Sequence, residues 1–253
     1  MSGPKEPSTI APARPAATVI PLRETEGRIE IYMLQRHSAG YLGDFWVFPG
    51  GRVDEHDYEP SIAARCTGLS AAQANDLLDV EDGALAYWVA AIRECFEECG
   101  LLLTSDPVAE SVEHLRRDLH QGELSFAELL ESMDWRPDAG RLIPWAHWVT
   151  PEMEKKRFDT RFFITTVPDG QDPVPDGVEL ADGMWITAAE ALERRDRKDM
   201  KLLFPTFKNL EKIAGFDSLE VLLETTRRTR PVTVAPRMVR EGGRVRILLP
   251  EED

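Results

Sequence analysis

Apolar and polar residues alternate from Arg28 through Ile29, Ile31, Met33 and Leu34 to Arg36, the period-two signature of a half-buried strand. The run Ala16 to Leu22 is apolar enough to pair with it antiparallel, and the charged link Arg23 to Gly27 suits a hairpin loop. Phe45 to Phe48 predicts a third strand, stopped at Pro49-Gly50-Gly51, where the backbone can take conformations that a Cβ would forbid. The period then becomes helical. Pro60 to Val80 is rich in Ala and carries Ser70 and Gln73 at capping-box spacing. A second helix runs from near Asp82-Gly83 through Ala84 to Cys99, with Gly100 as its C-cap. Val108 to His120 and Phe126 to Met133 predict two amphipathic helices separated by Gly122. Strands return after Pro144, at Trp145 to Val149, Thr160 to Thr166 and Trp185 to Thr187. Helices follow at Ala188 to Arg195, capped by Thr187, and at Phe204 to Ala214 and Ser218 to Arg227. Val232 to Leu249 alternates well enough for a strand or a hairpin.

Strands, then helices, then strands again, without regular βαβ alternation, indicate an α+β fold and not a doubly wound sheet. Residues 1–15 hold four prolines among small and polar residues and read as a flexible N-terminal arm. The main domain is expected over 16–200, with a helical insertion at 58–83, and a C-terminal helical extension and tail over 201–253, packed on the same domain. Only then does composition change the picture. The chain has 253 residues, 30 Lys+Arg against 45 Asp+Glu and a formal charge of −15, which argues against a nucleic-acid or anionic-membrane binder lacking a basic face. The apolar runs are short of the ~20 residues that span a bilayer, and Met1 to Pro15 lacks the apolar core of a signal peptide. A cytoplasmic protein is expected. The three cysteines, Cys66, Cys95 and Cys99, do not form a disulfide scaffold.

One stretch carries candidate chemistry: Arg93-Glu94-Cys95-Phe96-Glu97-Glu98-Cys99-Gly100-Leu101. On a helix Glu94, Glu97 and Glu98 share one face, and no lysine lies between Glu94 and Leu101 to relieve their repulsion. Carboxylates converging in this way are what a hard cation such as Mg²⁺ or Mn²⁺ requires. Arg93 is spaced to bridge to Glu97 at i+4 and fix its orientation. A solvated acidic face would account for the same run taken alone.

The same residues, preceded by Phe48-Pro49-Gly50-Gly51, closely resemble the box of the Nudix hydrolases, Gly-x5-Glu-x7-Arg-Glu-U-x-Glu-Glu-x-Gly-U with U apolar. Two departures stand out. Gly51 and Arg93 are 42 positions apart, 28 more than the pattern allows, and the position of the first box glutamate is occupied by Asp57, with Asp54 and Glu55 as alternatives for its role. Leu34-Gln35-Arg36, Tyr41 to Gly51, Trp148 to Pro151 and Arg157 to Phe163 resemble the subgroup that includes the mammalian peroxisomal coenzyme A diphosphatase, over residues 18 to 250.

That resemblance implies an α/β/α sandwich with a mixed sheet, the helical insertion lying inside the box. It implies a hydrolase of nucleoside diphosphates linked to another group, coenzyme A or acyl-coenzyme A first. ADP-ribose or NADH hydrolysis and a catalytically silent nucleotide-binding module are the alternatives. Glu94, Glu97 and Glu98 are the implied metal ligands, with Arg93, Glu94 and Glu97 in the catalytic set. Glu152, Glu154 and Glu179 are candidate general bases, and Gly50, Gly51, Arg36 and Arg157 candidate substrate contacts. Arg161 is read as a strand-edge residue paired with Asp159. Trp46, Trp145, Trp148 and Trp185 are expected in the core, and Cys95 and Cys99 are not expected to ligate metal. The seven arginines from Arg227 to Arg246 against one acid, Glu241, read as a solvated hairpin. The partner is a small nucleotide-type molecule, with no nucleic acid or membrane, and the aromatic content would permit a homodimer.

Overall fold

A computed structural model describes residues 10–39, 42–106, 112–241 and 244–250. Its organising element is strand β1 (Arg14–Thr25), along which three other strands pair. β2 (Arg28–Arg36) runs antiparallel to its second half, with Leu22 opposite Ile31. β4 (Gly50–Arg52) runs antiparallel to its first half, with Ala17 opposite Gly51. β6 (Phe158–Thr166) runs parallel to it, from Arg14 opposite Phe158 to Leu22 opposite Thr166. This pairing explains why β1 starts at Arg14, two residues before the expected Ala16: its first residues meet a partner strand. Residues 1–9 of the expected arm lie outside the described residues.

With β3 (Phe45–Val47), β5 (Ile143–Val149), β7 (Leu180–Thr187), β8 (Lys201–Leu202) and β9 (Thr233–Val234), the described residues form a mixed sheet of nine strands. Its main path is β8-β3-β2-β1-β6-β5-β9, with β4 joined to β1 and β7 to β2. β10 (Arg237–Glu241) and β11 (Arg244–Leu248) form a separate antiparallel pair, the hairpin of the two forms the tail alternation allows.

Both faces of the sheet are buried, and the strand period sorts side chains between them. Ala17, Val19, Tyr32, Leu34 and Phe163 face a layer made by α1 (Pro60–Arg65), α2 (Ala71–Leu78), α3 (Leu85–Cys99), α4 (Glu113–His120) and α5 (Phe126–Ser132). Ile20, Leu22, Ile31, Met33 and Ile164 face α6 (Ala188–Asp196), α7 (Phe204–Ile213) and α8 (Leu219–Arg228). The result is the expected α/β/α sandwich. α3 lies deepest: Trp88 packs on Phe163 with ring centroids 4.8 Å apart and donates its indole N–H to the Leu142 carbonyl at 3.1 Å.

Several boundaries differ from the reading, each for a local reason. The expected helix over Pro60 to Val80 is two short helices, because Gly68 takes φ +77° and passes so close to Asp138 that a Cβ there would meet its carboxylate. Ser70 and Gln73 form the foreseen capping box at the start of α2. The Gly50-Gly51 stop is itself a strand edge, since a backbone without side chains pairs well with β1. β7 begins at Leu180, its first half hidden in sequence by the polar Asp182 and Gly183. The expected helix from Val108 includes residues 108–111, which lie outside the described residues, and α4 begins at Glu113. Among the described residues no helix is long and apolar enough to cross a membrane.

Phe163→Ala removes a fully buried ring from beneath α3. It is expected to lower unfolding free energy by about 3–5 kcal/mol in denaturant titration, whereas Val221→Ala, at a position 54% exposed, should stay within about 0.5 kcal/mol.

Candidate active site

α3 crosses the sheet above β1 and β4, and its last turns bring Arg93, Glu94, Glu97 and Glu98 over Gly50 and Gly51. Glu98 is 7% exposed, and its Oε2 accepts the Gly50 N–H at 2.7 Å. Glu94 occupies the space above Gly51, where a Cβ would stand 2.3 Å from its Oε1. At Gly50, φ is +155° and a Cβ would come 2.4 Å from the Ala17 carbonyl oxygen. Both glycines are therefore steric requirements: one lets the chain touch β1, the other admits a carboxylate.

Arg93 locks this arrangement. Its Nε and Nη2 form a fork on the two oxygens of Asp57, both at 2.9 Å. Its Nη1 reaches Glu94 at 2.8 Å and Glu97 at 3.3 Å, and Nη2 also donates to the Arg52 carbonyl at 3.0 Å. These are all five donors of a guanidinium. Asp57 is 2% exposed and reaches Arg93 from the 3₁₀ turn Glu55–Tyr58, where it also accepts the Asp54 N–H at 2.8 Å. Of the three alternatives for the first box carboxylate, Asp57 is the one joined to the site, as the orienting partner of Arg93. Asp54 is half-buried and pairs with Arg52 at 3.4 Å, and Glu55 is exposed.

The charges do not balance locally. Asp57, Glu94 and Glu97 share the single guanidinium of Arg93, and Glu98 beside them rests on the Gly50 N–H. Burial pushes the Glu94 carboxyl up to about 7 and raises Glu97 as well. Glu98 is raised further, by burial first and then by the neighbouring Glu94 charge; the Gly50 N–H and Arg36 oppose this. Burial disfavours charged Arg93, but the Asp57, Glu94 and Glu97 carboxylates outweigh it and hold the guanidinium charged. Among the described residues no three acidic, His or Cys side chains already enclose an ion. The fit to a divalent cation rests on donor chemistry: hard oxygen ligands with a deficit of positive charge, one of them buried on a single backbone N–H.

The other expected residues divide into two groups. Arg36, at the end of β2, is close enough for Glu98 to feel its charge, and it pairs with Glu179 at 3.5 Å. Arg157 instead binds backbone, donating to the Thr150 carbonyl at 3.1 Å and the Ala11 carbonyl at 2.7 Å. Glu152 and Glu154 are exposed in the same loop, and no contact joins them to α3 among the described residues. Arg161 donates to the Leu78 carbonyl at 3.2 Å and lies 3.8 Å from Asp159, which also bonds His147 at 2.6 Å. Trp46, Trp145 and Trp148 are buried, and Trp185 packs on Tyr32. Cys95 and Cys99 are buried among apolar residues, with Sγ atoms 3.7 Å apart, and the Cys95 thiol is raised by its bond with Cys99 and by burial.

Sequence reading missed Arg116. It is 3% exposed, and its Nε donates to the Glu97 carbonyl at 2.8 Å. The available signal was periodicity, since Val112, Arg116 and Leu119 fall on one helical stripe.

The model of the NUDT19 Nudix domain family matches residues 65–213. The chain belongs to the Nudix hydrolase family. It is similar to the acyl-coenzyme A diphosphatase NUDT19 of Gallus gallus, 28% identical over 81% of this chain and 68% of that protein. The Homo sapiens protein of the same name is 28% identical over 83% of this chain and 67% of its own length. The chain thus spans about two thirds of these relatives. A NUDIX hydrolase structure from Alicyclobacillus acidocaldarius matches with TM-score 0.72 and 27% identity, covering 85% of this chain and 97% of that one. The enzyme class expected from the box, a Nudix-type hydrolase, follows from this membership.

Two predictions follow from the charge arrangement. Asp57→Ala leaves buried Arg93 without its fork and should cost about 3–5 kcal/mol in denaturant unfolding; a loss below about 1 kcal/mol would contradict the orienting role. In chelator-treated protein, Glu94 binds its proton more tightly folded than unfolded, so its contribution makes stability fall as pH rises from the ordinary carboxyl range through about 7. Glu94→Gln should therefore be more stable than wild type at pH 8 and lose that advantage near pH 5, as read by thermal melts at both values.

Proposed function

We propose that this chain is a divalent-metal-dependent hydrolase that cleaves the diphosphate of coenzyme A or an acyl-coenzyme A. The observation that carries the metal reading is the group of under-compensated carboxylates on α3 above the Gly50-Gly51 floor. The substrate reading is supported by the relatives named acyl-coenzyme A diphosphatase. Glu94 and Glu98 would hold one Mg²⁺ or Mn²⁺, and Glu97 a second ion or a water on the first. When bound, such an ion offsets diphosphate charge and makes hydroxide available near neutral pH.

The chain's own groups do the rest. The Gly50 N–H fixes one Glu98 oxygen, and Arg93 fixes Glu94 and Glu97, so the carboxylates are oriented before a ligand arrives. Arg36 supplies a partly exposed guanidinium on the Glu98 side, suited to a phosphate oxygen. Glu179, paired with Arg36, is the favoured base to take a proton from the attacking water; Glu152 is second, since nothing ties it to α3. Arg157, held by two carbonyls, is left out of the substrate contacts.

The test is hydrolysis, with Mg²⁺ or Mn²⁺, of a panel holding coenzyme A, acyl-coenzyme A, ADP-ribose, NADH and diadenosine polyphosphates. The coenzyme A compounds should turn over fastest and release a phosphopantetheine product. Glu98→Gln should keep its circular dichroism spectrum and lose at least about 100-fold in rate, beyond the usual effect of outer ligand-orienting changes. Full activity of Glu98→Gln would sink the assignment, and tight binding of one compound without turnover would make the chain a nucleotide-binding module.

A further inference from the structure

We propose that Arg116 is a positioning residue that fixes the last turn of α3 and, through it, the carboxylates of Glu97 and Glu98. This rests on the metal reading given above.

The last four carbonyls of an α-helix have no partner within it. In α3 three of them are taken from outside the helix body: Phe96 by the Gly100 N–H at 2.9 Å, Cys99 by the Val174 N–H at 3.0 Å, and Glu97 by the Arg116 Nε at 2.8 Å. The first two donors are backbone groups supplied by chain continuity and a covering loop. The third is a charged side chain that α4 buries to 3% exposure.

Such burial is costly, and Arg116 gains little elsewhere to offset it. Its other acidic neighbour, Glu113, lies 3.7 Å away and is 72% exposed, and Nη2 has no hydrogen-bond partner among the described residues. What the guanidinium gains is the C-terminal end of α3, where the helix dipole favours a cation. Gly100 ends the helix at φ +73° right beside the guanidinium, where a Cβ would lie in ordinary contact, 3.4 Å from Arg116 Nη1.

Residue 97 is therefore gripped at both ends. Arg116 holds its carbonyl from one side, and Arg93 holds its carboxylate at 3.3 Å from the other. Glu98, the next residue, is held by Gly50 at 2.7 Å. Arg116 touches neither carboxylate, so its influence passes through the backbone of the turn.

The test measures Mn²⁺ binding by electron paramagnetic resonance on the full chain, in wild type, Glu98→Gln, Arg116→Met and Arg116→Lys, with folding checked by circular dichroism. Arg116→Met should weaken Mn²⁺ binding by about 10–100-fold, the usual effect of losing a group that orients a ligand. Arg116→Lys should fall between it and wild type, because an ammonium restores charge and a donor without the rigid fork. A merely structural role would lower melting temperature while leaving Mn²⁺ affinity of the folded fraction unchanged, and that result would overturn the proposal. If Arg116→Met does not fold, Arg116→Lys decides: weakening of about threefold or more supports the role, and wild-type affinity overturns it. Failure of the metal reading looks different, as wild-type protein would then show no Mn²⁺ binding that Glu98→Gln removes, and the inference would fall with it.

Discussion

Arg93 donates all five of its N–H groups to four residues, and the geometry of the site depends on that distribution. The fork on Asp57 ties α3 to the 3₁₀ turn after β4, and the bond to the Arg52 carbonyl ties it to β4 itself. The same guanidinium holds Glu94 and Glu97 side by side against their mutual repulsion. Without it, two carboxylates in a partly buried setting would turn towards water or take up protons. The shortened Asp57 can serve because its turn brings it under α3, with both oxygens on the fork.

The second constraint is steric. β1 accepts the Gly50-Gly51 edge closely enough that only glycine fits at Gly50, and the bare Gly51 backbone leaves the Glu94 carboxylate room above it. Sheet and helix thus meet with almost no side chain between them, which puts a backbone N–H directly on Glu98. The insertion between Gly51 and Arg93 leaves this contact intact because it departs after Asp57 and returns before Trp88, as α1 and α2 packed against α3.

Much of this was legible in sequence, and the exceptions have physical reasons. The hairpin of β1 and β2, the N-cap of α2 at Ser70, the extent of α3 and its end at Gly100 are local events, set by periodicity and capping. The acidic face of α3 was readable from spacing alone. The parallel pairing of β1 with β6 was not, since it joins residues far apart in the chain through backbone bonds that no side-chain pattern encodes. Arg157 and Arg116 show the same limit. Arg157 is occupied by the Thr150 and Ala11 carbonyls, and Arg116 is buried against α3. Which carbonyl an arginine finds is decided by tertiary packing.

In the proposed function, the buried carboxylates of α3 are a cation site built in advance on Arg93 and the two glycines. A crystal structure of the chain grown with Mn²⁺, read by anomalous scattering, tests it most directly. A peak bonded to Glu94 and Glu98 at about 2.0–2.3 Å is expected, with Asp57 still forked on Arg93. A peak held by other residues, or full Mn²⁺ occupancy with Glu94 and Glu98 turned away from the ion, would contradict it.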